Sequence, residues 1–529
     1  MCTTANVAAQ KKGFVWDPPA SVQNALDDLR TIALTGATAV RTPLISDTSL
    51  FSLADSLAIT FFQELGVEYL TATELLDETP TSATKLIDAL KFGGKFASGR
   101  TFGLSYLADT SDPDACRYFE TLGTIGREVS PESVLYYTSP YVSEDACSST
   151  VDFRLASTIA ANKFLKFGTE QSWPARLGFA GVGTYFDPAS YSGLRSRHSE
   201  ESQARFLENA LTYIDRLGDA VPAVFIYRWR DEHEESSFET DLFARKFGVN
   251  GDSGSRESRE VARGFFVGNQ KVFAFDAGEE PQRPINWMVI LAWIILSLLA
   301  VAYVLTPRVQ SIMQRYFFAH GFYCSAVAEG RETTPLASAS IILLIALSFS
   351  LVATTVVRHI AFSSGFDILA HRLPDFAAWV LLRTSVQSSL GVILISVLYF
   401  AIVLIQSAYL SIVGGAKGRI GPVQALQLQI WPRWHMIALM VLAVSAFSSS
   451  EGRITSYTGI VLAIMATTSM LWSTLRTVYD FRLASRQPVV RTFAAGLLSP
   501  SLLIAMGILF LLIREKGTVA YLWHLLALG

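Results

Sequence analysis

Charge is in short supply along this chain: 17% of its 529 residues are Asp, Glu, Lys or Arg, against about 25% in an ordinary soluble protein. The two signs nearly cancel, 43 basic residues against 46 acidic ones, and no basic stripe breaks the balance. A nucleic-acid partner is therefore not expected. Cysteine is sparse too. Cys2, Cys116, Cys147 and Cys324 show neither a CxxC nor a Cys/His metal spacing, so no disulfide framework, metal or cofactor is expected. Cys116 and Cys147 pair only if their domain is exported, and isolated thiols are the simpler expectation. The chain also lacks GxSxG, HExxH and P-loop motifs, which argues against a serine hydrolase, a zinc protease and a nucleotide-driven pump.

The missing charge is missing from one half. Up to about Pro284 charges recur every few residues; from Trp287 onward apolar runs alternate with short basic loops. About 20 apolar residues cross a bilayer as a helix, and six spans are expected: Trp287 to Leu305, Leu336 to Val357, Leu390 to Val413, His435 to Ser448, Tyr457 to Leu475 and Leu497 to Ile513. The amphipathic stretch from Phe366 to Leu382, broken by Pro374, reads as interfacial or re-entrant. Arg383, His435 and the Asp480/Arg482 pair fall near span ends, where snorkelling accounts for them. Loops on one side of this arrangement carry ten Lys and Arg, and loops on the other carry six. The positive-inside bias puts the N-terminal domain outside the cytoplasm of a cell (inner) membrane. Residues 1–12 then read as the remnant of a signal peptide, with the start placed too late.

Residues 13–285 alternate short β-rich runs with amphipathic helical runs, the pattern of a parallel sheet. Strands are expected at Phe14–Trp16, Ala39–Pro43, Val67–Thr71, Phe102–Leu107, Val134–Thr138, Val151–Leu155, Leu177–Gly181 and Ala223–Trp229. Helices are expected between them at Val22 to Thr35, Leu50 to Leu65, Ser82 to Phe96, Asp114 to Arg127 and Ser202 to Leu217, with Gly36 and Gly66 ending the first two and Ser199 capping the last. Eight strands close a barrel. The fold class is α/β, a (β/α)8 TIM barrel followed by an all-α multi-pass transmembrane bundle over residues 286–529. A dinucleotide fold would place a glycine-rich loop after the first strand, where FVWDPPAS stands instead.

The order GFVWDP, TAVRTPLI and ELGVEYLTA, with AVFIYRWRDE and KFGVNGDSGSRESREVARGFF late in the domain, resembles the barrel of glycoside hydrolases of family 2 and the related retaining β-glycosidases. The resemblance covers roughly residues 12 to 275. It implies an Asn-Glu pair ending the fourth strand and a Glu ending the seventh, two carboxyls about 5 to 5.5 Å apart. The corresponding segments here, FGLSYLADT or VLYYTSPYVSED and then LGFAGVGTYFD, offer Asp109, Glu144, Asp145 and Asp187 in their place. These four are the candidate catalytic residues.

Trp16, Asp17, Arg41, Tyr137, Tyr185, Arg228 and Trp229 are the candidate sugar-binding residues: aromatic rings for stacking, charges for hydroxyls and carboxylates. Each has a plainer alternative in core packing, an ion pair or a turn. Tyr136 joins the same candidate platform. Arg230, Asp231 and Glu232 follow the eighth strand on the side where barrels bind ligands, and either touch ligand or pair in solvent. Asp152 reads as structural. Taken together, the sequence predicts a membrane-anchored, glycosidase-like protein that binds a carbohydrate outside the cytoplasm, and hydrolyses it only if the carboxylates have moved. A pseudoenzyme is favoured. The alternative is a multi-pass transport, sensing or envelope-assembly protein whose barrel is a non-catalytic sugar-binding or docking domain. A polar cavity among the spans would speak for the alternative. The expected partners are carbohydrate and lipid bilayer.

Overall fold

The computed structural model describes residues 10–66, 69–167, 173–174, 176–188, 190–232, 245–251, 254–279, 286–331, 334–361, 372–373, 375–415, 420–449 and 456–528. Two units emerge, Met1–Arg283 with Tyr521–Gly529, and Pro284–Ala520. Cys2, most of residues 1–12 and, within the stretch from Phe366 to Leu382, residues 366–371 and 374 lie outside the described residues.

The first unit is a closed barrel of eight parallel strands in chain order: β1 (Lys11–Val15), β2 (Ala39–Pro43), β3 (Thr60–Glu64), β4 (Thr101–Gly103), β5 (Val134–Ser139), β6 (Phe153–Ala156), β7 (Leu177–Val182) and β8 (Ala223–Ile226). β8 pairs back onto β1, Ile226 beside Phe14. Around the strands run α1 (Val22–Leu34), α2 (Thr48–Ser56), α3 (Ala72–Gly93), α4 (Pro113–Val129), α5 (Thr158–Phe167), α6 (Glu200–Leu217) and α7 (Glu257–Val267). Apolar residues at helical spacing turn one face of each inward, such as Ala25, Leu29 and Ile32 of α1 and Ala204, Leu207, Leu211 and Ile214 of α6. Ser199 caps α6 by accepting from the Ser202 amide. Inside the barrel, Tyr136 stacks on Phe153 at 5.4 Å and Phe62 meets Phe225 edge-on at 4.9 Å.

The third strand lies elsewhere than expected. Residues from Leu50 to Leu65 form one apolar run, but α2 stops at Ser56, and Ala58 takes a positive φ of 56° that no helix continues through. TFFQE then enters the barrel as β3, largely buried, without the alternation that marks a half-exposed strand. Gly66 consequently follows a strand. Tyr69 and Leu70, from the expected third strand, pair with Leu107 and Ala108 in a separate two-stranded sheet. The fourth barrel strand is confined to Thr101–Gly103. α3 begins at Ala72, ahead of the expected Ser82, because Thr71 and Glu74 form a capping box there.

The unpaired-thiol expectation also gives way. Cys116 of α4 and Cys147 in the loop after β5 form a disulfide, their Cα atoms 4.9 Å apart.

The second unit is helical. Among the described residues, four helices, Trp287–Leu305, Pro335–Arg358, Ser388–Gly414 and Val461–Ser485, are long and apolar enough to cross a membrane. Trp293, Ile294, Leu298, Ile393, Val397 and Ile405 point outward along them, a surface water would not tolerate at this extent. Of the six spans expected, the helix from His435 is shorter and the helix Pro500–Arg514 has 15 residues, which reach only about 22 Å. A cavity of about 380 Å³ in this unit is lined by apolar side chains, among them Leu296, Met313, Phe317, Ile345, Trp431 and Ile437. A polar cavity of the kind that would speak for transport is not what this lining provides.

Candidate functional site

Arg41 and Glu64 meet inside the barrel. β2 and β3 run in register with Pro43 beside Glu64, and the Arg41 side chain crosses to the Glu64 carboxylate, Nε to Oε1 at 2.6 Å. The guanidinium also donates to the Ala180 carbonyl of β7 at 3.2 Å, the Thr138 hydroxyl of β5 at 3.1 Å and the Tyr106 carbonyl at 3.4 Å. It lies 4.6 Å from the Tyr106 ring. Tyr136 donates to the same Glu64 oxygen at 2.9 Å. Burial pushes the Glu64 carboxyl up, with Arg41 pulling against it. Burial and the neighbouring Glu64 charge hold Tyr136 as a phenol. Gly103 is what leaves room: a Cβ there would stand 2.3 Å from Glu64 Oε2. The arrangement ties β2, β3, β5 and β7 together through one cation.

The four candidate carboxylates fall into different surroundings. Asp145 is sealed, accepting from the Tyr137 hydroxyl, the Cys147 amide and Arg154 Nη1 at 2.6 Å, and so holds the loop after β5 in place. Asp109 is nearly buried and accepts from the Ser111 hydroxyl at 2.7 Å. Glu144 and Asp187 are exposed. At the ends of β4 and β7, where paired glutamates are implied by the resemblance, stand Gly103 and Val182.

The candidate aromatics are mostly core. Trp16 packs parallel to Phe61, Tyr137 stacks on Phe119 at 4.3 Å and Trp229 meets Phe14 edge-on at 5.0 Å, all three almost fully buried. Tyr136 is inside the barrel. Tyr185 remains half-buried and stacks on His198 at 3.9 Å, with Arg245 5.5 Å from its ring. Asp17 and Arg228 face each other at 3.8 Å, both buried, and Glu232 lies 4.0 Å from Arg228. Arg230 grips Asp28 of α1, and Asp231 pairs with Arg256. Arg230 and Asp231 are therefore joined to neighbouring elements rather than to each other. Asp152 accepts from the Leu135 amide at 2.8 Å, a structural contact.

Glu64 and the C-terminal residues were the parts of this face hidden from sequence reasoning. Glu64 was hidden inside a run read as helix. His524 stacks on Tyr141, beyond the end of β5, with ring centres 4.0 Å apart. Burial lowers the His524 imidazole from its ordinary value of 6.5, against the opposing pull of the Pro140 carbonyl, Glu144 and Asp109. A tail nearly 400 residues from Tyr141 carries no sequence signal of this docking.

No family model matches the chain, and no curated protein does. Solved structures similar to it include a GH2 β-galacturonidase from Eisenbergiella tayi bound to galacturonate, with 15% identity and a TM-score of 0.42 over 50% of this chain and 52% of that one. A β-glucuronidase from an uncultured Clostridium sp. shows 16% identity and a TM-score of 0.41, over 49% and 50%. A β-D-glucuronidase from Dictyoglomus thermophilum shows 15% and 0.41, over 50% and 52%. The chain spans about half the length of these structures.

Proposed function

We propose that this protein is anchored in a cell (inner) membrane by its helical unit and presents the barrel outside the cytoplasm, where it binds a carbohydrate without hydrolysing it. The observation that carries the reading is the chemistry at the strand ends. Retaining hydrolysis needs a nucleophile and an acid facing one ligand, and Gly103 and Val182 supply neither. The glutamate that does reach the barrel interior, Glu64, is sealed and already holds Arg41 and Tyr136. Binding remains open to the mouth of a parallel barrel, the face where such folds take ligands. Tyr185 with His198 would supply the stacking surface, and Asp17, Arg228 and Asp109 the polar edge. The Cys116–Cys147 disulfide supports export, because such bonds persist in oxidising compartments. Residues Tyr521–Gly529 group with the barrel, which supports an even number of crossings between the two ends of the helical unit. Calorimetric titration of the full chain in detergent with a panel of oligosaccharides tests this reading: saturable binding is expected, and a flat response across the panel would end it.

A second reading, in which the helical unit does the work and the barrel docks or senses, has one observation in its favour. Arg433, Gln427 and Gln429 are buried among the helices, and buried polar side chains are expensive enough to suggest a task. Oligosaccharide flux into proteoliposomes, abolished by Arg433→Ala, is the outcome that would support it.

A further inference from the structure

The helical unit brings together three metal-ligating side chains from distant parts of the chain. His320 opens the helix His320–Ala328, and Cys324 follows four residues later on the same face. Asp480, near the end of the helix Ser456–Ser485, reaches that face. His320 Nε2 lies 2.9 Å from Asp480 Oδ1 and 3.6 Å from Cys324 Sγ, and the three donor atoms all fall within 4.8 Å of one another.

The hydrogen bonds around the imidazole sharpen this. Nδ1 lies 3.2 Å from the Tyr316 carbonyl oxygen, which only accepts, so Nδ1 carries the hydrogen. In a neutral ring, Nε2 is then a bare lone pair facing a carboxylate oxygen. Two acceptors at that distance require either a proton between them, carried by the ring or by the carboxyl, or a metal ion. Two further features weigh toward the metal. Asp480 Oδ2 is buried and accepts no hydrogen bond among the described residues, and Cys324 is a buried free thiol whose sulfur already faces Nε2. Arg476 Nε approaches Asp480 at Oδ1, 3.3 Å away, which leaves Oδ2 to a different charge. Imidazole fixed through its far nitrogen by a backbone carbonyl is the outer-shell arrangement of metal-bound histidine.

We propose that His320, Cys324 and Asp480 bind one borderline divalent cation of the zinc type, with the remaining position filled by water. The donor set, one nitrogen, one sulfur and one oxygen, is that of zinc rather than of magnesium or calcium. Tetrahedral bonds of about 2.0 Å to nitrogen and oxygen and about 2.3 Å to sulfur separate the donors by roughly 3.3 to 3.6 Å. The observed Sγ to Nε2 distance already meets this, and the carboxylate needs only a small rotation. The ion would join the helix His320–Ala328 to the helix Ser456–Ser485, which are 160 residues apart at His320 and Asp480. Binding displaces the thiol proton and any second ring proton, so zinc uptake releases acid.

The test uses the full chain in detergent, made without a polyhistidine tag on a Cys2→Ser background, stripped with chelator and dialysed against Zn2+ or Co2+. One equivalent of Zn2+ is expected, with a thiolate-to-cobalt absorption band when Co2+ replaces it. Cys324→Ser should remove the band and weaken Zn2+ binding at least about tenfold, and His320→Gln should weaken it comparably. Added Zn2+ should raise the melting temperature of the parent and leave that of either variant unchanged from its own metal-free value. Zn2+ uptake equal in the parent and in Cys324→Ser, or Co2+ bound without a thiolate band, would overturn the proposal and leave an imidazolium–carboxylate pair.

Discussion

Arg41 and Glu64 meet at 2.6 Å with both side chains closed to solvent, and the guanidinium has further partners on β5 and β7. Such a pair is costly to break from one side, because the survivor keeps a buried charge without its counter-ion. Glu64→Gln and Arg41→Met are each expected to destabilise the barrel by about 3 to 5 kcal/mol. The double variant should cost less than the two added together, since it strands neither charge. Thermal unfolding followed by near-ultraviolet circular dichroism on the full chain measures the cycle; additive losses would show the two residues to be energetically independent.

The route to that pair shows what the sequence can and cannot disclose. Arg41 was visible, since it stands in a strand with clear bounds between a helix and Pro43. Its counter-ion was not. The helix α2 and the strand β3 are both apolar and separated only by Leu57 to Ile59, so periodicity merges them, and Glu64 then looks like a helical residue near a C-terminus. Seven of the eight barrel strands have an expected counterpart that overlaps them, because βα alternation is a local pattern that needs no knowledge of tertiary contacts. Ring stacking was harder to judge. Trp16 and Trp229 sit at strand ends where a ligand platform belongs, yet helix packing against the outside of the barrel claims them. The His320 and Cys324 spacing was legible, but its third ligand comes from a helix that only the fold brings close.

The disulfide bears on both stability and compartment. Cys116 and Cys147 are 31 residues apart, and in the loop-entropy picture closing a loop of that size contributes roughly 3 to 4 kcal/mol. Cys116→Ser is expected to lower the barrel's stability by about that amount. Alkylation of the denatured, unreduced chain should modify Cys2 and Cys324 alone. Modification of all four cysteines would show that the barrel matures in a reducing compartment.

Docking of the tail on Tyr141 should depend on pH. Burial lowers the His524 imidazole below 6.5, so the docked form prefers the neutral ring. Docking is therefore complete above the unfolded value and weakens as pH falls through it, when the released ring takes up a proton and the docked one resists. Protection of residues 516–528, taken as the exchange rate relative to the intrinsic rate at each pH, is expected to fall between pH 7 and pH 5.5, and a His524→Gln variant should lose that pH dependence. Protection unchanged with pH in the native chain would detach the imidazole from docking.

Topology gives a further check. Residues near Asn250 and the segment after Tyr521 belong to the same unit, so reporters placed in either should respond on the same, non-cytoplasmic side. Opposite responses would require an odd number of crossings. A reporter near Asn250 active only in the cytoplasm would reverse the assigned orientation.

Binding and turnover, measured together on the full chain in detergent against oligosaccharides and aryl glycosides, test the central claim most directly. Saturable binding is expected, with no release of the aryl group and with binding weakened in Asp109→Ala, Asp187→Ala serving as the exposed comparison. Turnover that is lost in Asp109→Ala, Glu144→Ala or Asp187→Ala would contradict it and make the protein a hydrolase with displaced carboxylates.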